Sequence, residues 1–111
     1  MRVIVKPDGP VKIPFDSIIP LEKITKYLLV FNNHGDKSAF LARGGYTLEN
    51  WSDLESDIRN LLRFEAVFQK KDIFGDYYVI SGPLKGNLWV KTIWFREHEA
   101  TTFRFITLFP Q

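Results

Sequence analysis

Residues 47–81, TLENWSDLESDIRNLLRFEAVFQKKDIFGDYYVIS, contain the change of hydrophobic period that decides the fold. In the first part Leu48, Trp51, Leu54, Ile58, Leu61 and Leu62 recur at steps of three and four. That spacing places them on one helical face. Glu49, Asp53, Glu55 and Asp57 crowd towards its start, and Arg59 and Arg63 towards its end. This order suits the helix dipole, and it predicts a helix over Leu48–Arg63. The carboxylates off the apolar stripe read as a solvated face rather than as a catalytic pair.

Beyond Arg63 the period falls to two. The segments Ala66–Lys70, Tyr77–Ser81, Leu88–Phe95 and Thr102–Phe109 are rich in β-branched and aromatic residues and read as strands. Their connections, Asp72–Asp76, Gly82–Asn87 and Glu97–Ala100, are short. Parallel crossovers need a dozen or more residues, so neighbouring strands must be antiparallel. The fold class is therefore α+β: N-terminal helices packed on a four-stranded antiparallel meander sheet.

Ahead of residue 47 the pattern is more broken. Met1–Lys6 reads as a short strand, Pro7-Asp8-Gly9-Pro10 as a turn, and Val11–Pro14 as a second extended piece. Leu21, Ile24, Tyr27 and Leu28 recur at helical spacing, and Pro20 fits a first turn, so a helix is expected over Pro20–Leu29. A polar turn follows at Asn32–Asp36. A short helix over Lys37–Arg43 comes next, with Asp36 as its cap and Gly44 as its stop.

The length of 111 residues fits one domain over residues 1–111. Hydrophobic residues make up 45% and charged residues 25%, the balance of a globular chain. There are no cysteines, which removes disulfides and thiolate zinc sites and fits a reducing, cytoplasmic setting. With His34 and His98 alone as imidazoles, neither a metal nor another cofactor is expected. The net charge of +2 does not by itself argue for nucleic acid. The longest apolar run, Tyr27–Phe31, is far too short to span a membrane. No P-loop, no G-x-S-x-G and no glycine-rich strand-to-helix loop occurs.

Four residues stand out as candidates for chemistry. His34 and Lys37 flank a helix start, where free backbone N–H groups favour an anion; His34 titrates near neutrality, and Lys37 is a point charge for phosphate. Arg104 lies in a largely apolar strand, so it must grip a ligand, pair with Glu97 or Glu99, or reach out to solvent. A four-residue Glu97–Ala100 loop would set Phe95 against Thr102, Ile93 against Arg104 and Val90 against Thr107. Arg104 and Thr107 would then point to opposite faces. Among the aromatics, Trp89 and the Tyr77-Tyr78 pair are those available to stack on a ligand.

Three segments, Ile18–Leu29, His34–Phe40 with Gly45-Tyr46, and the strand-rich tail made of Tyr77–Gly86, Thr92-Ile93-Trp94 and Arg104–Pro110, resemble an uncharacterised bacterial domain family. Its members are small free-standing proteins and C-terminal domains of polymorphic toxins. Lys37, Trp94, Arg104 and Thr107 match the family's pattern. The order of helices before a meander is also similar to the ribonuclease superfamily of barnase, EndoU, colicin nucleases and RelE.

Two functions follow as expectations. The first is a non-catalytic binding or interaction module. The second is a metal-independent, toxin-like endoribonuclease, with Lys37 and Arg104 on the scissile phosphate, His34 as acid or base, and Thr107 orienting a phosphate oxygen. The expected partners are RNA, a protein partner acting as antitoxin or complex subunit, or a second copy of the chain, and no membrane.

Overall fold

A computed structural model of the chain describes residues 10–31 and 37–111. The expected strand at Met1–Lys6, most of the turn after it, and the Asn32–Asp36 turn lie outside the described residues. The described elements run α1 (Leu21–Lys23), a π-helical turn (Ile24–Leu28), α2 (Ser38–Ala42), α3 (Trp51–Asn60) and a 3-10 turn (Leu61–Arg63). Four strands complete the chain: β1 (Val67–Lys71), β2 (Gly75–Leu84), β3 (Leu88–Glu97) and β4 (Arg104–Pro110). They form one antiparallel sheet in the order β1-β2-β3-β4, the meander that the short connections require.

The helical layer covers one face of this sheet. Leu54, Ile58, Leu61 and Leu62 are buried, each contributing roughly 1.5–3 kcal/mol by leaving water. They share one core with Tyr78 and Ile80 of β2, Val90 and Trp94 of β3, and Phe105 and Leu108 of β4. Contact between the layers is close at Gly82. A Cβ there would lie 2.6 Å from Leu61 Cδ2, so a larger residue would require the Leu61 side chain to repack.

Two expected helix faces change in the structure. The third helix begins at Trp51, not Leu48. The Asn50 side chain accepts a hydrogen bond from the Thr47 N–H at 2.7 Å and donates to the Gly45 carbonyl at 2.9 Å. That local turn competes with the helix for the same backbone groups and leaves Leu48 exposed. In the first helix the N–H of Leu29 reaches the Ile24 carbonyl at 3.2 Å, a five-residue step. The wider turn buries Ile24, Leu28 and Leu29 and leaves Leu21 and Tyr27 exposed, where an ordinary α-helix would have placed Tyr27 on the apolar stripe.

Strand ends also shift. β2 runs on through Gly82 and Pro83 to Leu84, where the sequence suggests a loop. Pro83 is tolerated because β1 pairs with β2 no further than Val79, so β2 is an edge strand at that point. The turn into β3 is then only Lys85–Asn87, with Gly86 and Asn87 at positive φ, as a tight hairpin asks.

The extended piece before α1 straps the molecule together. Val11 exchanges backbone hydrogen bonds with Ala66, just ahead of β1, at 2.9 and 2.8 Å. The Ile18 N–H donates to the Phe103 carbonyl at 3.0 Å, and the Phe105 N–H donates to the Ile18 carbonyl at 2.8 Å. Arg59 of α3 holds the strap in place, donating to the carbonyls of Phe15 and Ser17 at 2.8 Å each. Elsewhere the buried Tyr46 hydroxyl donates to Asp57 Oδ2 at 2.6 Å and accepts from the Lys85 N–H at 2.9 Å. This ties α3 to the β2–β3 turn. Among the described residues no helix is long and apolar enough to cross a membrane.

The core contains one polar relay. The Thr92 hydroxyl donates to the Ile80 carbonyl at 2.8 Å and accepts from the Trp94 indole N–H at 2.9 Å, with both side chains fully buried. Thr92→Val should cost about 1–3 kcal/mol, because it strands the indole N–H without a partner. Trp94→Phe should cost about 1–3 kcal/mol through lost packing and the bonding capacity left unused on Thr92. The double variant should lose clearly less stability than the sum of the two single losses. Urea unfolding of the four proteins checks this, and strict additivity would show that the relay carries no coupling.

Candidate functional site

Alternation along the strands sends every second side chain away from the helices. The register aligns these side chains in rows across the sheet. The first row is Lys70–Tyr77–Phe95–Arg104, the second Val67–Val79–Ile93–Thr107, and the third Ser81–Lys91–Phe109. No helix of the described residues covers this face. Tyr77 and Phe95 touch, with ring centroids 4.9 Å apart, and the Lys70 ammonium sits 5.0 Å from the Tyr77 ring. The expected Tyr77-Tyr78 pair is thus divided: Tyr78 is buried under the helices, and Tyr77 alone belongs to the open face. Trp89 is half exposed and lies on the open face as well, at the far end of β3.

A β-bulge shapes the β4 side. Ile93 pairs with Thr107 and Trp94 with Phe105, so Ile106 is left over. The extra residue rotates the chain by one position. Phe105 stays in the core, fully buried, and Thr107 moves to the face that carries Arg104. This corrects the expected register, in which Arg104 opposed Ile93 and Thr107 opposed Val90. In the structure Arg104 opposes Phe95, and Val90 opposes Pro110. The β3–β4 connection is also longer than a four-residue loop, since β3 runs to Glu97 and β4 begins at Arg104.

Lys37 reaches this face from the helical layer. Its ammonium donates to the Thr107 hydroxyl at 2.9 Å and lies 4.2 Å from the centre of the Phe109 ring. The residue immediately precedes α2, which has five residues, too few for a substantial dipole, so the site does not rest on the helix start. Asp36, the expected cap, lies outside the described residues; Lys37 itself occupies the cap position without a side-chain hydrogen bond to the helix. Burial holds the Lys37 pKa below the ordinary lysine value, and the like charge of Lys23 lowers it further. Lys23, Tyr27, Leu28, Lys37, Ile106 and Thr107 line one groove. Two ammonium groups and the Tyr27 and Thr107 hydroxyls, with no carboxylate among these described residues, form a place for an anion.

Arg104 is exposed and makes no ion pair among the described residues. Of the two alternatives to a ligand grip, pairing with Glu97 or Glu99 does not occur among the described residues, and the side chain reaches solvent instead. Glu97 is the single carboxylate among the strand residues of the open face, and it lines the same two clefts as Arg104 without bonding to it. Lys37, Thr107 and Arg104 therefore share one face, with Lys37 and Thr107 in contact. His34 lies outside the described residues. His98, expected as an exposed turn residue, is one: it follows Glu97 beside the β1–β2 turn and donates through Nε2 to the Asp72 carbonyl at 2.8 Å. Lys23, Lys70, Phe95 and Glu97 belong to the site and were not singled out from the sequence as ligand-binding residues. Only the register of two bulged strands, at Gln69 and Ile106, brings Lys70 and Thr107 onto this face.

The chain belongs to the family described as a domain of unknown function, DUF6883, whose sequence pattern matches residues 16–111. That description carries no activity and no link to toxins or ribonucleases. Neither the curated proteins nor the solved structures gave a match.

Replacing Lys23 with Gln should raise the Lys37 pKa, because a like charge disfavours the protonated form. The rise should stop short of the ordinary value, since burial, the larger cause, remains. Carbon-detected NMR titration of the lysine side chains reads this directly. An unchanged Lys37 titration would show that Lys23 exerts no field in the groove.

Proposed function

We propose that this DUF6883 domain is a non-catalytic binding module that holds single-stranded RNA on the open face of its sheet. The observation that carries this reading is the row Lys70–Tyr77–Phe95–Arg104. Two adjacent aromatic rings stand between two cations, with Lys37 and Thr107 beside them. Neighbouring strands lie about 4.8 Å apart, so the row spans roughly 14 Å, the reach of a few nucleotides. Aromatic rings on a sheet stack on bases, each worth about 1–3 kcal/mol, and flanking cations follow the phosphates. Among the described residues the open face carries Lys37, Lys70, Lys91 and Arg104 against Glu97, with Asp72 at its edge beside Tyr77.

A second reading, the metal-independent endoribonuclease, is favoured by the Lys37–Thr107 contact on the face of Arg104. Two cations and a hydroxyl suit the developing charge of a phosphate under attack, and His34 would have to supply the proton transfer.

Fluorescence anisotropy with a labelled single-stranded RNA should show binding that weakens steeply as salt rises, the mark of phosphate contacts. Arg104→Ala and Tyr77→Ala should each weaken binding by about tenfold or more, as expected for a lost charge-assisted contact and a lost stack. The same RNA followed on a gel in EDTA separates the two readings. Intact RNA supports the binding module, and cleavage lost in Lys37→Ala supports the nuclease. No binding by the wild-type protein at low salt would overturn both.

A further inference from the structure

We infer that the cleft between the β1–β2 turn and β4 is a base pocket that selects guanine within a single-stranded RNA. This deepens the reading of the open face as an RNA-binding surface and rests on it. The cleft has a volume of about 580 Å³, and its walls include Phe74, Tyr77, Phe95, Glu97, Arg104 and Ile106. Small-molecule sites run from roughly 300 to 1,000 Å³, so a nucleotide fits. Three aromatic rings and Ile106 supply flat and apolar walls for a base.

The turn that forms one wall is built in advance. Asp72 Oδ1 accepts hydrogen bonds from the N–H groups of Phe74 and Gly75, at 2.8 and 3.1 Å. Gly75 packs against β3 so closely that a Cβ would stand 2.2 Å from the Arg96 carbonyl. Phe74 is thereby held at the mouth of the cleft, 67% exposed, and Ile73 beside it is 85% exposed. Such exposure of two large apolar side chains is costly in water unless something covers them.

Selectivity comes from the two charges. Glu97 and Arg104 face the same cleft on adjacent strands without forming an ion pair, so both remain open to a ligand. A carboxylate is an acceptor only. The Watson–Crick edge of guanine offers it two neighbouring donors, the ring N1–H and the exocyclic amino group. Adenine and cytosine offer one donor beside an acceptor, and uracil one donor between two acceptors, each of which a carboxylate repels. Arg104 takes the phosphate of the same nucleotide, which keeps the base oriented towards Glu97.

The test uses two labelled seven-nucleotide RNAs, one with a single guanine flanked by three uridines on each side, the other with adenine in its place. The wild-type protein should bind the guanine RNA roughly tenfold tighter, the discrimination expected of one good bidentate pair. Glu97→Gln should erase that preference, bringing the affinities for the two RNAs to within about twofold of each other. Glu97 is exposed, and circular dichroism verifies that the variant folds. Guanosine 5′-monophosphate should displace the guanine RNA, and adenosine 5′-monophosphate should not. Equal affinity for the two RNAs overturns the guanine pocket and leaves the RNA-binding face standing. Failure to bind either RNA overturns both.

Discussion

The register between β3 and β4 is the constraint on which the two faces of this domain depend. Ile93 meets Thr107 and Trp94 meets Phe105, leaving Ile106 without a partner. Without that bulge, alternation would put Arg104 and Thr107 on opposite sides of the sheet. It would also force either Phe105 or Leu108 out of the core that both fill completely. The bulge lets one strand serve both layers: two large apolar side chains enter the core, and a cation and a hydroxyl go to the open face.

One layer of helices cannot cover two faces of a sheet. Here α3 and the strap from Ile13 to Ile19 take the inner face, and among the described residues no helix covers Tyr77, Ile93, Phe95, Ile106 and Phe109 on the outer face. The sheet protects part of this face by itself. Ile93 is only 8% exposed, and Tyr77 and Phe95 shield each other. Lys37 lies over Phe109 and Lys70 over Tyr77, so long aliphatic stems stand where a second layer of structure would otherwise pack. Such a cover is readily displaced, which suits a surface that exchanges water for a ligand.

The core was largely legible in the sequence. The three-and-four spacing of Leu54, Ile58, Leu61 and Leu62 needs no tertiary information, and neither does the two-residue period that marks the strands. The site was legible only in pieces. Lys37, Arg104 and Thr107 were found, but their common face depends on a bulge, and an extra residue leaves no local mark in a strand that reads RFITLFP. The exposure of Tyr27 depends on a π-helical turn, set by packing rather than by spacing. Lys70 and Glu97 look like any solvated strand residues until the register sets them beside Tyr77, Phe95 and Arg104. What the sequence hides is therefore register, a property of pairs of strands rather than of either strand.

The strap carries a consequence for the order in which the molecule assembles. Every strand of the meander pairs with its neighbour in the chain, and α3 adjoins β1 in sequence. Those contacts close short loops at small entropic cost, so they form readily. The bridge from Ile18 to Phe103 and Phe105 joins points almost a whole chain length apart, and Arg59 can grip the Phe15 and Ser17 carbonyls only once α3 is seated. The strap is therefore the last part to close and the first to open. The completed domain is a prebuilt sheet tied shut by its own early residues.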